Sequence, residues 1–446
     1  MERKSMNQAN VTKEAKKISK GLACFIVIGV AGLWFPGGEA EADLPEIPIC
    51  INSGNQWHTN ISRDGRIAVY TDSRNGYSST EGTGWDIYAS RIDTQSGIVI
   101  EEFPICTALK RQNHPALSGD GNIVVWQDDR PDGSIYGYVI DLEKEFIVSS
   151  YLATQDRPHI SDNGRIIAWE DMRNGNRDIY AAEIDPNTGT ILREFPVCIE
   201  PSDQYYPVLS EDGDIVVWTD RRRNHQGDIY GYKISTGEEF PICTHPDHQS
   251  GPNISGDTIV WSDYRNSEEQ DPNENVDIYG ARIDPNTLTV LEEFPICTAN
   301  KNQGGAVVSK NLVIWTDYRD DIENPFRGRT SVSDIYGFDL DSSREFEVCV
   351  NPYTSKGSPC ISNRWVVWSD GRGGYFSGEN KNSDVYMTKI QETIISYSPF
   401  DFNKDEIINW KDFSELAIWW MDNYNHLIIS PETPEGSPGD APHPRG

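Results

Sequence analysis

Oxygen-bearing side chains at alternate positions are the first arrangement in this sequence that could do chemistry. Asp401, Asn403, Asp405, Ile407, Asn409 and Asp412 fall at positions 1, 3, 5, 7, 9 and 12 of a loop. Oxygens at that spacing wrap a hard cation, with Ile407 offering its main-chain carbonyl, so calcium is the expected cofactor. Phe413, Leu416, Ala417 and Trp420 form an apolar stripe that predicts a helix starting near Trp410. The alternative reading is an acidic helix start that holds no ion.

A second arrangement is spread along the chain. Gln56, Gln112, Gln155, Gln204, Gln249 and Gln303 recur at equivalent places, with Lys356 in the seventh. Two residues after them stand His58, His114, Arg157 and Tyr206, then Gly251, Gly305 and Ser358. Recurring amides either satisfy main-chain groups of their own crossovers or line a shared mouth as a polar ring for waters, a cation or a sugar. The two histidines, the arginine and the tyrosine break the repeat, as a binding site must. With Gln56, Gln112, Gln155 and Gln204 they form the candidate ligand-binding set. Trp57, Trp85, Tyr205 and Tyr375 lie close by in sequence. Aromatic faces beside amides and carboxylates suit carbohydrate, because sugar rings stack and hydroxyls hydrogen-bond; loop packing is the other reading. Two histidines are too few ligands to assign a metal. No Gly-x-Ser-x-Gly, His-Glu-x-x-His or phosphate loop occurs, so no catalytic residue is assigned. The abundant carboxylates leave a glycosidase-type pair open.

The elements that would position these residues come from internal repetition. Trp-x-Asp-x-Arg closes an apolar run at Trp126, Trp169, Trp218, Trp261, Trp315 and Trp368, and Tyr70 begins a seventh copy. Asp-Ile-Tyr or a near variant follows each, starting at Asp86, Asp178, Asp228, Asp277, Asp334 and Asp384, with Ser134 replacing Asp once. Glu-Phe-Pro-Ile-Cys and Pro-x-apolar-Ser are the remaining repeated segments. The period runs from 43 to 56 residues. Four short β-prone runs per unit, separated by turns such as Ser118-Gly-Asp-Gly121, predict an all-β, seven-bladed β-propeller of four-stranded blades over residues 43–390. The last unit lacks its outer strand, and the missing copy is Glu46-Ile-Pro-Ile-Cys50. The N-terminal strand should therefore close the ring.

Repetition also separates architecture from function. The Asp and Arg of Trp-x-Asp-x-Arg, with the Asp of Asp-Ile-Tyr, are expected to form an ion pair and turn cap inside each blade. Cys50, Cys106, Cys198, Cys243, Cys297 and Cys349 are equivalent outer-strand positions. Neighbouring blades lie roughly 10 Å apart, beyond disulfide reach, so these residues and Cys360 are expected as buried thiols.

The chain holds 39 Lys+Arg against 70 Asp+Glu among 446 residues. Such a surface repels phosphate backbones and argues against nucleic acid as a partner. Residues 1–42 read as an export signal: Lys13, Lys16, Lys17 and Lys20 precede an apolar stretch, and Ala40-Glu41-Ala42 supplies a cleavage pattern. A secreted, periplasmic or cell-surface protein without a retained membrane span follows from that reading. Residues 391–398 read as a linker and 426–446 as a disordered tail.

The Trp-x-Asp-x-Arg and Asp-Ile-Tyr cadence resembles the TolB-like (WD40-like) bacterial propellers, which implies a monomeric binding platform with varied partners. Residues 399–425 resemble one repeat of a type I dockerin, including Asp412 at position 12. That resemblance implies calcium-dependent attachment to a cohesin-like protein. Glu406 departs from the family's glycine, and no second loop follows. The histidines, Arg157 and glutamines also resemble the rim of oligogalacturonate lyases. The leading expectation is thus a non-enzymatic binding or scaffold propeller that recognises carbohydrate or an extracellular protein. A secreted polysaccharide lyase or glycoside hydrolase using the same face is the alternative.

Overall fold

The computed structural model describes residues 46–391 apart from 77–83, 132–134, 152, 224–225, 268–274, 320–331, 352–353 and 374–382. The export segment, Asp401 to Asp412, the tail, Ser134 and Tyr375 lie outside the described residues.

Seven four-stranded antiparallel sheets form a ring. Blades one to six span residues 56–106, 112–149, 155–198, 204–243, 249–297 and 303–349. The innermost strand of each blade contacts that of the next, and the seventh contacts the first. Second strands such as Ile123–Asp128 and Ile215–Asp220 are apolar almost throughout because a neighbouring blade covers each face. Trp126, Trp169, Trp218, Trp261, Trp315 and Trp368 are fully buried between blades. Among the described residues, no helix is long and apolar enough to cross a membrane.

Blade seven holds Lys356–Ser362, Trp365–Asp370, Asp384–Lys389 and, outermost, Ile47–Cys50. The closing strand pairs antiparallel, Ile47 opposite Met387 and Cys50 opposite Val385. The predicted closure is thus the one the chain adopts.

Each blade has an ionic corner, and it differs from the expected one in its third member. In blade four, Trp218 Nε1 donates to Asp220 Oδ2 at 2.9 Å and the Arg222 N–H to Asp220 Oδ1 at 2.8 Å. The Arg222 guanidinium bridges Asp220 at 2.7 Å and Glu239 at 2.5 Å, and reaches Cys198 Sγ on the preceding blade at 3.2 Å. The second carboxylate is therefore the Glu of Glu-Phe-Pro-Ile-Cys. The Asp of Asp-Ile-Tyr takes a separate partner where an asparagine follows the arginine, as in Asn266 Nδ2 to Asp277 Oδ2 at 2.7 Å. The outer-strand cysteines and Cys360 are free. Burial pushes the Cys106 and Cys243 thiols up to about 12, so they stay protonated.

Candidate functional site

Every inner strand carries a bulge at the same place. Pairing slips between Trp57 and Asn60, between Asn113 and Ala116, and at the corresponding pairs of the other five blades. The bulged residue adopts the left-handed conformation each time. Its φ is +50° at His58, +49° at His114, +49° at Arg157 and +57° at Tyr206. It is +62° at Gly251, +64° at Gly305 and +50° at Ser358. Glycine takes this conformation freely, whereas a residue with a Cβ carries about 1–3 kcal/mol of strain. Bulges redirect side chains. Four consecutive blades therefore hold large polar groups on a strained position where the other three hold Gly, Gly and Ser.

The four groups form a continuous wall at one end of the channel. The His58 and His114 rings lie 4.3 Å apart between centroids. His114 Nδ1 lies 3.0 Å from Asp156 Oδ1 and 3.1 Å from Gln127 Oε1. Arg157 Nε is 3.6 Å from Glu170 Oε1, and Arg177 Nε is 3.2 Å from Glu170 Oε2. The Tyr206 N–H donates to Glu170 Oε1 at 2.9 Å, and the Arg157 guanidinium sits 4.6 Å from the Tyr206 ring centre. Tyr205 and Arg177 extend the wall, 5.3 Å apart. Trp57 and Trp85 meet edge to face at 5.1 Å.

Electrostatics differ along this wall. Burial, with the neighbouring His114, pushes His58 down to about 4, so the ring is neutral, and its Nδ1 is buried without a hydrogen-bond partner. Burial pulls Asp156 up, but the bonds from His114 and the charge of Arg157 outweigh it and hold the carboxyl below its usual range. Burial wins at Glu170 and raises it despite the Tyr206 N–H and the two arginines.

The glutamine ring is a correction. Gln56, Gln112, Gln155 and Gln204 are buried and do not line the mouth. Gln112 Nε2 donates to Lys110 O at 3.1 Å and Gln204 Nε2 to Ser202 O at 2.5 Å, each in its own crossover. Gln155 binds Ser149 Oγ and Asp171 Oδ2, both at 2.7 Å. Main-chain carbonyls thus take the Gln56, Gln112 and Gln204 amides, as the alternative reading had it, whereas Gln155 braces two side chains. Gln127, Asp156, Glu170 and Arg177 join the wall without having been singled out. Gln127 and Glu170 carried a signal: the middle residue of Trp-x-Asp is Thr or Ser in the other blades.

His159 occupies the narrow part of the channel, beside Asn60, Val208, Asn253, Val307 and Cys360 around a space of 80 Å³. Its Nδ1 accepts the Leu209 N–H at 3.2 Å, and burial pushes its pKa down to about 4. An unfolded histidine titrates near 6.5, so between pH 6.5 and 4 the unfolded chain binds a proton that the fold excludes, and stability falls with pH. The effect is at most about 3 kcal/mol per histidine. Asp228 and Asp384, which burial raises to about 6, act with the opposite sign in the window between about 3.8 and 6. A His159→Gln variant is expected to lose less stability than the parent between pH 7 and 4.5 in urea titrations. Equal losses would show that His159 is not held neutral.

No family model matches the sequence, and no curated protein matches it. Solved structures do. The β-propeller domain of the trilobed protease from Pyrococcus furiosus superposes with TM-score 0.51 at 11% identity, over 76% of this chain and 96% of that one. An oligogalacturonate lyase from Vibrio parahaemolyticus gives 0.50 at 10% identity, over 78% and 92%. TolB from Acinetobacter baumannii gives 0.37 at 16% identity over 54% of this chain and 52% of that one, so the chain spans about half of that protein. The shared feature is the propeller fold. At these identities the likeness extends no further.

Proposed function

We propose that this protein is a binding propeller whose ligand seat is the wall formed by His58, His114, Arg157 and Tyr206, and that the ligand is a carbohydrate. The strained left-handed backbone shared by these four residues carries the reading. Nothing in blade architecture needs a side chain there, since Gly251 and Gly305 serve the same position. Strain of this kind persists where function selects for the side chain. Arg157 and Tyr206 offer donors beside an aromatic face, Asp156 and Glu170 offer acceptors, and the glycine side of the mouth leaves room for a chain-like ligand. An exported location and a calcium-dependent attachment segment at 399–425 complete the proposal on the sequence pattern alone.

One observation favours the enzymatic alternative. His58 is held neutral next to His114 and Arg157, and a neutral imidazole can accept a proton as a general base does. A glycan array probed with the full chain, followed by analysis of each bound glycan for cleavage products, separates the two. Binding without products is the expected outcome. Unsaturated or hydrolysed products would move the protein to the lyase or hydrolase class, and no bound glycan would refute the carbohydrate reading.

A further inference from the structure

The crossovers between blades contain a repeated oxygen cage, and two of the seven show what fills it. Between blades six and seven, Lys356 Nζ lies 2.6 Å from Asp334 Oδ1, 2.7 Å from Asn351 O and 2.9 Å from Thr354 O. Between blades three and four, Asn176 Nδ2 takes the corresponding place, 2.8 Å from Asp178 Oδ1 and 2.9 Å from both Glu200 O and Ser202 O. Both cages combine the Asp-Ile-Tyr carboxylate of one blade with main-chain carbonyls just ahead of the next inner strand.

One other cage, at Asp277 and Gln303, has the oxygens but no such nitrogen among the described residues. Asn266 holds Asp277 Oδ2 at 2.7 Å, as Asn174 holds Asp178 Oδ2 at 2.6 Å. The other oxygen, which in Asp178 meets Asn176, is in Asp277 buried and without a hydrogen-bond partner. Asn275 stands at the offset of Asn176, but its amide goes to Asn266 O. Gln303, in the place of Lys356, donates weakly to Asn300 O at 3.4 Å, and its Oε1 is buried and unpartnered. The crossover at Asp228/Gln249 is closed differently: Gln249 Nε2 donates to Asp247 O at 2.7 Å, and the unpartnered oxygen of Asp228 is Oδ2, the one an asparagine holds in Asp178 and Asp277, with Arg223 standing at that position. Asp277 also adds to a cluster of one guanidinium and two carboxylates, Arg265 with Asp263 and Glu293. An unpaired buried carboxylate in that setting is costly, and burial raises Asp277.

We propose that the crossover at Asp277/Gln303 binds a small monovalent cation, sodium or potassium, where Lys356 places its ammonium. The donors are all oxygen, which suits a hard cation. A half-turn of the Gln303 amide, which gives up only its long bond to Asn300 O, adds its Oε1 to the Asp277 carboxylate and the carbonyl. One carboxylate per cage, matched elsewhere by a single ammonium, fits a charge of +1 better than the multiple carboxylates of calcium sites. The ion would fasten blade five to blade six.

The test uses the full chain with EGTA present, so that divalent ions at 401–412 contribute nothing. Thermal unfolding is compared in sodium, potassium and choline chloride at one ionic strength. A higher midpoint in sodium or potassium than in choline is expected, and a Gln303→Lys variant should melt in choline at its sodium midpoint. Equal midpoints of the parent in all three salts would mean that the cage holds water, and overturns the proposal. So does an undiminished salt preference in Gln303→Lys. Should that variant not fold, ²³Na relaxation decides: excess relaxation seen with the parent should drop in Asp277→Asn, and an unchanged rate contradicts the assignment.

Discussion

Removing residues 43–53 is expected to abolish cooperative unfolding and drive the protein into aggregates. The deletion takes away the outer strand Ile47–Cys50, whose Ile49 and Cys50 are buried against blade seven and its neighbour. Burying one such aliphatic side chain contributes about 1.5–3 kcal/mol. It also removes Glu46, whose carboxylate bridges Arg372 at 2.5 Å and accepts from Cys349 Sγ at 3.0 Å, so the corner of blade seven loses its second acid. The strand Asp384–Lys389 is then left as an open edge, a template for pairing with another chain. Light scattering and size exclusion of the refolded variant read the outcome. A monomeric variant with the parent's melting profile would show that the ring does not depend on its N-terminal strand.

Asp220→Ala is expected to cost about 3–5 kcal/mol, the loss typical of breaking a buried ion pair by removing one partner. The carboxylate is fully buried, and three donors converge on it from Trp218, the Arg222 main chain and the Arg222 guanidinium. Alanine leaves the indole N–H unpaired between blades and the guanidinium with the partly exposed Glu239 as its one remaining carboxylate. Asp220→Asn keeps one oxygen acceptor and should lose less. Urea unfolding of both variants measures the difference. A loss below about 1 kcal/mol for alanine, the scale of a surface pair, would mean that the repeated corner contributes solubility or specificity rather than stability.

Blade number and ring closure were legible because each unit repeats the same side chains, and Glu46-Ile-Pro-Ile-Cys50 is plainly a displaced copy of the outer strand. The corner was half legible. Asp220 and Arg222 sit two residues apart, but the partnership with Glu239 depends on strand register across the blade. The wall was found through broken symmetry at His58, His114, Arg157 and Tyr206, while its cause was hidden: a bulge and a left-handed backbone leave no mark on residue type when the residue is Arg or Tyr. The glutamines misled for a related reason. A glutamine at a strand start reads alike whether it faces a channel or braces the crossover behind it, and only the burial of Gln56 and its companions distinguishes the two. Asp156 and Arg177 carried no signal, since acidic and basic residues are common throughout the chain.

The central claim is that blades one to four hold their bulged side chains for a ligand and not for the fold. Arg157→Gly and Tyr206→Gly test it most directly, because glycine is the residue that blades five and six already use there. Relief of left-handed strain favours glycine by about 1 kcal/mol or more, offset in part by its greater freedom in the unfolded chain. The account predicts that both variants melt at or above the parent's temperature while binding to the parent's array glycan disappears. A clear fall in melting temperature with glycan binding intact would contradict it, and would make the wall a packing feature of the propeller.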